Sequence, residues 1–180
     1  MCTIILKGLD KDRLTDWIQN ADDKNKTDPV HSFIAAWIGF NHYYSTFASQ
    51  HMDDFNEWRV NHFKGRKGDK AEWMFLIQHY EFKKLFDRFK ETEKGLFENN
   101  VELPIRDMLY DRSVPENRKG KLKFKELNEL ELFESLYQIR NNLFHGSKNP
   151  EKNKRDKELS TLASDFMLPF LRALNKSTCR

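Results

Sequence analysis

Ser135-Leu136-Tyr137-Gln138-Ile139-Arg140-Asn141-Asn142-Leu143-Phe144-His145-Gly146 is the stretch on which the reading of the chain turns. Before and within it, Leu127, Leu130, Leu132, Phe133, Leu136, Tyr137, Ile139, Leu143 and Phe144 recur at three- and four-residue steps, the period of an amphipathic helix. The helix is predicted to close at His145, because Gly146 readily takes the left-handed position that ends a helix. Asn149-Pro150 then supplies a cap and a first-turn proline for the next one. On a wheel of about 100° per residue, Arg140 falls inside the arc formed by Ile139, Leu143, Leu132, Leu136, Phe133, Phe144 and Tyr137. Arginine is rarely buried alone, so a guanidinium on that arc calls for a packed ion pair, a subunit interface or a bound anion. Asn141, His145 and Glu134 lie together just past the edge of the arc, with Asn141 and His145 one turn apart. Histidine exchanges its proton near neutral pH, and a helix C-terminus accommodates the charged form. His145 therefore suits general acid and base work.

Arg140-Asn141-Asn142-Leu143-Phe144-His145 resembles the R-x4–6-H signature of the HEPN superfamily, in which the arginine is commonly followed at once by Asn, Asp or His. The context strengthens the resemblance: the motif ends one long helix, precedes a capped second one, and sits in the last quarter of a helical chain. What the resemblance implies is a small all-α domain, dimeric, acting as a metal-independent endoribonuclease of toxin–antitoxin, anti-phage or RNA-processing systems. One departure narrows it. HEPN toxins paired with a nucleotidyltransferase antitoxin often carry tyrosine two residues after the histidine, where this chain has Ser147.

Composition sets the outer limits. At 180 residues the chain reads as a single domain over 1–180, large enough to bury a real core. Its mean hydropathy of −0.81 and the lack of a long apolar run argue against a membrane protein. Asp10, Lys11, Asp12 and Arg13 come too early for a signal peptide, so the expected compartment is the cytoplasm. Cys2 and Cys179 stand at opposite ends and fit neither a metal site nor a disulfide framework; a bridge between them should be rare in a reducing compartment. With 31 basic and 28 acidic residues the net charge is only +3, too balanced to mark a nucleic-acid coat protein. Fifteen phenylalanines against 7 glycines and 5 prolines favour helices packed through aromatic rings over a turn-rich β fold.

Taken in order, Asp10 or Asp12 caps a short first helix carrying Leu14, Trp17, Ile18 and Ala21, and residues 22–26 read as a solvated loop. Thr27-Asp28-Pro29 starts a second helix whose broad aromatic face runs through Phe33, Trp37, Tyr44 and Phe47. It continues to Phe63, with a break near Asp53-Asp54. Asp69 with Glu72 resembles a capping box for a third helix through Trp73, Leu76, Tyr80, Leu85 and Phe89. Asp111 to Lys125 is polar, basic and turn-prone, an irregular loop before the motif helix. A last helix from Pro150 to about Leu174 carries Leu159, Leu162, Phe166, Leu168, Phe170 and Leu171. The expected fold is all-α: a HEPN-like bundle of about five helices with that basic loop.

Other chemistry is thinly represented. His31, His42, His51 and His62 lack the spacing of a helical zinc site, and no phosphate-loop, esterase or metalloprotease motif occurs, so neither metal nor cofactor is implied. Asn41 and Tyr44 sit among aromatics and read as core polar groups, with lining the site as the lesser alternative. Arg118, Lys119, Lys121, Lys123 and Lys148 form a candidate RNA-binding set, with Phe124 as a stacking ring and a plain soluble loop as the alternative. For Arg140 the plain alternative is a structural salt bridge; for His145, a helix-ending residue bonded to backbone. In the enzymatic reading His145 moves protons, Arg140 holds the scissile phosphate, Asn141 orients His145 or the phosphate, and Glu134 is the weaker candidate for positioning Arg140. The implied partners are an RNA substrate, a second copy of the chain and an antitoxin or defence-system protein, with no membrane. The competing expectation is a non-catalytic HEPN-like dimeric module that binds RNA, nucleotide or a partner protein.

Overall fold

The computed structural model describes residues 4–63, 68–98, 102–104, 121–124, 127–145 and 150–179, with 102–104 and 121–123 described as backbone only. Among them are eight helices and four very short strands, an all-α fold. The helices are α1 (Lys11–Lys24), α2 (Pro29–Gln50), α3 (Met52–His62), α4 (Asp69–Gln78), α5 (Tyr80–Thr92), α6 (Lys94–Phe97), α7 (Glu129–Phe144) and α8 (Lys154–Ser177).

Local chemistry explains the helix starts. The Asp10 carboxylate, not that of Asp12, caps α1 by accepting the Arg13 N–H at 3.0 Å. Asp28 accepts the His31 N–H at 3.0 Å and Pro29 opens α2 as expected. A reciprocal capping box starts α7: Asn128 accepts the Glu131 N–H at 2.9 Å and Glu131 accepts the Asn128 N–H at 3.0 Å.

Several boundaries differ from the sequence reading. Residues 22–24 extend α1. The second helix breaks at His51, two residues before Asp53, and the third breaks at His79, whose backbone is extended (φ −70°, ψ 138°). Neither break carries proline or glycine. The last helix starts at Lys154, not Pro150, because Asn153 accepts the Arg155 and Asp156 N–H groups, and it runs through Pro169 to Ser177. A bundle of about five helices thus becomes eight, mostly by breakage of long segments. Of the loop expected before the motif helix, residues 121–124 are described, and they include a strand. Strand β3 (Lys121–Lys123) pairs antiparallel with β2 (Glu102–Pro104), in keeping with the period-two alternation Lys121-Leu122-Lys123-Phe124.

The chain ends meet. Strand β1 (Ile4–Ile5) pairs in parallel with β4 (Thr178–Cys179), and the buried Tyr43 hydroxyl lies 2.9 Å from Thr178 Oγ1. Cys179 is disulfide-bonded, contrary to the free thiol expected in a reducing compartment; Cys2 lies outside the described residues.

The buried side chains form one cluster, in which α2 packs on α1, α4 and α8. At its centre Phe170 touches Phe133 and Phe89 (ring centroids 5.3 Å), Phe166 (5.6 Å), Phe82 (5.8 Å), Phe86 (5.9 Å) and Phe40 (6.0 Å). Most of these contacts are edge-to-face, the arrangement favoured by the ring quadrupole. Phe124 belongs to the same core, 5.7 Å from Phe166 and almost fully buried, so it is not the base-stacking platform that the sequence suggested. No helix among the described residues is long and apolar enough to cross a membrane.

Two outcomes follow from this packing. Phe170→Ala removes the ring shared by six others and should cost about 3–5 kcal/mol in urea denaturation. The two helix breaks also confer a pH dependence, since the His51 and His79 rings lie 5.6 Å apart with Phe47 against both. Burial holds the His79 imidazole below its ordinary value, aided by the His51 charge and opposed by Glu81 and Asp54. A depressed histidine leaves the unfolded chain binding protons first as pH falls. Its contribution is complete above the unfolded value of about 6.5 and is lost on acidification through the folded one. Thermal melts between pH 8 and 5 should therefore show a fall in stability that is shallower in His79→Phe.

Candidate functional site

The site assembles where the end of α7 meets the start of α4. Asp69 is the first residue of α4, yet no side chain caps that helix: Gly68 stands at the cap position, and the expected Asp69–Glu72 capping box does not form. The Asp69 carboxylate faces α7 instead. It accepts the Tyr137 hydroxyl at 3.0 Å and lies 3.7 Å from Arg140 Nη2. Burial, and next the Asp69 charge, raise the Tyr137 phenol above its ordinary value, so it stays protonated and donates.

Arg140 is partly buried, with about a quarter of its side chain exposed, as its place on the apolar arc suggests. Its carbon Cζ lies 4.7 Å from the Phe144 ring centroid and 5.8 Å from that of Tyr137, the neighbours one turn ahead and one turn behind. Nη1 donates to Asn141 Oδ1 at 2.8 Å, while Nε is buried with no hydrogen-bond partner among the described residues. Buried Tyr44 accepts from Asn41 Nδ2 at 2.6 Å. Burial, followed by the Asp69 charge, pushes the Tyr44 phenol well above its usual range, while the Arg140 charge pulls it down. The Asn41–Tyr44 pair is thus within electrostatic reach of the guanidinium.

The remaining candidates separate. Glu134 pairs with Lys70 at 3.0 Å, so the carboxylate beside Arg140 is that of Asp69. His145 caps the C-terminus of α7, its N–H bonded to the Asn141 carbonyl at 2.9 Å. Its imidazole is exposed and makes no hydrogen bond or ion pair among the described residues. Five residues apart, Arg140 and His145 leave the helix about 140° apart and about 7.5 Å along the axis, so within one subunit they do not converge by helix geometry alone. Phe144, placed in the core by the wheel, is 56% exposed between them. Arg118, Lys119 and Lys148 lie outside the described residues, and of Lys121 and Lys123 only the backbone is described.

Elsewhere, His62 Nδ1 lies 3.0 Å from the Trp58 carbonyl oxygen and His31 lies 3.2 Å from Asn20. No group of three potential metal-ligating side chains occurs among the described residues.

No family model matches the chain, and no curated protein or solved structure matches it either.

Sequence reasoning missed Asp69 as a site residue, because its partners stand 68 and 71 positions away and nothing local marks it. The Asp69–Tyr137 bond should be measurable by itself. In urea denaturation, Asp69→Asn and Tyr137→Phe should each cost about 1–2 kcal/mol, and the double variant should fall short of their sum by about 1 kcal/mol.

Proposed function

We propose that the chain is a metal-independent endoribonuclease of the HEPN type, acting in the cytoplasm as a symmetric dimer within a toxin–antitoxin or anti-phage system. The observation that carries this reading is that the last turns of α7 carry both a pre-oriented guanidinium and, on another side of the helix, an imidazole with no hydrogen bond or ion pair among the described residues. Arg140 is held by Asn141, Asp69 and the Phe144 ring, while His145 stands open to solvent.

RNA carries its own nucleophile, the 2′-hydroxyl. A protein that moves protons and stabilises negative charge therefore suffices for cleavage. His145 withdraws the 2′-hydroxyl proton or protonates the departing 5′-oxygen, and Arg140 offsets charge on the phosphate oxygens. Asn141 fixes the Arg140 fork. The products are a 2′,3′-cyclic phosphate and a 5′-hydroxyl. One chain offers one motif histidine, whereas acid and base are both needed, and the exposed Phe144 beside His145 suits a two-fold contact that supplies the second.

A second reading has its own support. The Asp69 carboxylate already faces Arg140 within the same subunit, which favours a non-catalytic HEPN-like module in which Arg140 locks α4 to α7 and RNA or a protein binds elsewhere.

Incubation with labelled RNA in EDTA separates the two. The nuclease reading expects cleavage by the wild type, with 2′,3′-cyclic phosphate ends, and a loss of about 100-fold or more in both Arg140→Ala and His145→Ala. Intact RNA throughout, or cleavage that persists in both variants, sinks it.

A further inference from the structure

A cavity of about 790 Å³ opens between the segment after β1, the start of α1 and one face of α2. That volume is ordinary for a small-molecule site. Its lining includes two full cations, Lys7 and Arg13, and no carboxylate. Neither cationic head group makes an ion pair among the described residues. The neighbouring acid, Asp10, caps α1 through the Arg13 N–H, and its charge also acts on Arg13 and His42.

The α2 wall of the cavity is unusual for a helix so largely buried. Asn41, Ser45 and Ser49 follow at four-residue steps, and His42 and Thr46 form a second row beside them. Thr46 returns its hydroxyl to the His42 carbonyl at 2.7 Å, the usual fate of a helical hydroxyl. The Ser45 and Ser49 hydroxyls make no hydrogen bond among the described residues, so both remain available as donors. At the end of α2, Gln50 clamps the incoming chain: its Oε1 accepts the Lys7 N–H at 2.8 Å and its Nε2 donates to the Ile5 carbonyl at 2.9 Å. The backbone that carries Lys7 is therefore held in place before any ligand arrives. Trp17 adds a partly buried aromatic surface to the same lining.

We infer that this cavity binds a small phosphomonoester bearing an aromatic or heteroaromatic ring, with Lys7, Arg13 and the free serine hydroxyls on the phosphate and Trp17 against the ring. Lys7 and Arg13, the latter already near the Asp10 charge, favour an oxyanion, neutral hydroxyls add donors, and an indole favours a flat π-system. The site is separate from the motif at the end of α7.

Isothermal titration calorimetry of the full chain with phenyl phosphate, phenol and inorganic phosphate tests this. Phenyl phosphate should bind saturably and at least about tenfold more tightly than either phenol or inorganic phosphate. Lys7→Gln with Arg13→Gln should weaken it by about tenfold or more, Trp17→Ala should weaken phenyl phosphate but not inorganic phosphate, and Arg140→Ala should leave binding unchanged. Both cations are exposed, so the double variant should fold, which circular dichroism checks. The inference is overturned by any of three results: no saturable heat at millimolar phenyl phosphate, equal affinity for phenol or for inorganic phosphate, or affinity indifferent to loss of both charges.

Discussion

The packing of aromatic edges around Phe170 is the constraint on which the remaining geometry rests. Rings from α2, α5, α7 and α8 converge there, and Phe133 is the contribution of α7, in contact with Phe40, Phe82, Phe86, Phe166 and Phe170. Once Phe133 is seated, the rotation of α7 about its axis is settled. Tyr137, Arg140 and Phe144 follow on the same stripe at steps of four, three and four residues. The stripe runs from the dry centre toward the surface, so a guanidinium two turns beyond Phe133 arrives at the boundary, where α4 begins. The direction of Arg140 is thus a consequence of core packing seven residues earlier.

That boundary also accounts for the behaviour of Asp69. A carboxylate in the first turn of α4 has a favourable helix dipole wherever it points, so leaving the cap role costs it little. Turning to α7 instead, it gains a phenol donor at 3.0 Å and a nearby cation. The Arg140 pair, at 3.7 Å and with both side chains partly exposed, contributes modestly by itself. The Tyr137 bond to a charged acceptor is the stronger of the two. Asp69 therefore serves mainly to dock α4 on α7, and its hold on Arg140 is loose enough for a more highly charged oxyanion to compete.

Periodicity and capping made much of this fold legible in the chain. The helical class, the Asp28-Pro29 start, the long apolar stripe before Arg140 and the end of α7 at His145 all express local preferences that act over one turn. What escaped was set by distant groups. His51 and His79 break their helices where rings from α2 and α4 meet, although neither carries a local breaker. Phe124 sits within a run of lysines and reads as a surface ring, yet Phe97 and Phe166 draw it inward. Phe144 lies on the apolar arc by angle, yet its ring is more than half exposed at the end of α7. Arg140 was marked as a cation on an apolar face; that its carboxylate would be Asp69 and not Glu134 depends on tertiary contact alone.

Helix α2 connects the two ends of the molecule that carry polar chemistry. Its core-facing rings join the phenylalanine cluster, while Asn41 belongs to two places at once: it lines the cavity beside Arg13 and donates to the Tyr44 hydroxyl, within electrostatic reach of Arg140. Tyr44 is fully buried and its phenol is strongly disfavoured from ionising, so its oxygen stays a neutral, fixed acceptor for the Asn41 amide. A side chain held at one end by such a partner has little freedom at the other. The cavity wall at Asn41 is consequently fixed to the core behind it, and the N-terminal wall is tied down by Gln50, by the β1–β4 pairing and by the Leu6 N–H on the Cys179 carbonyl.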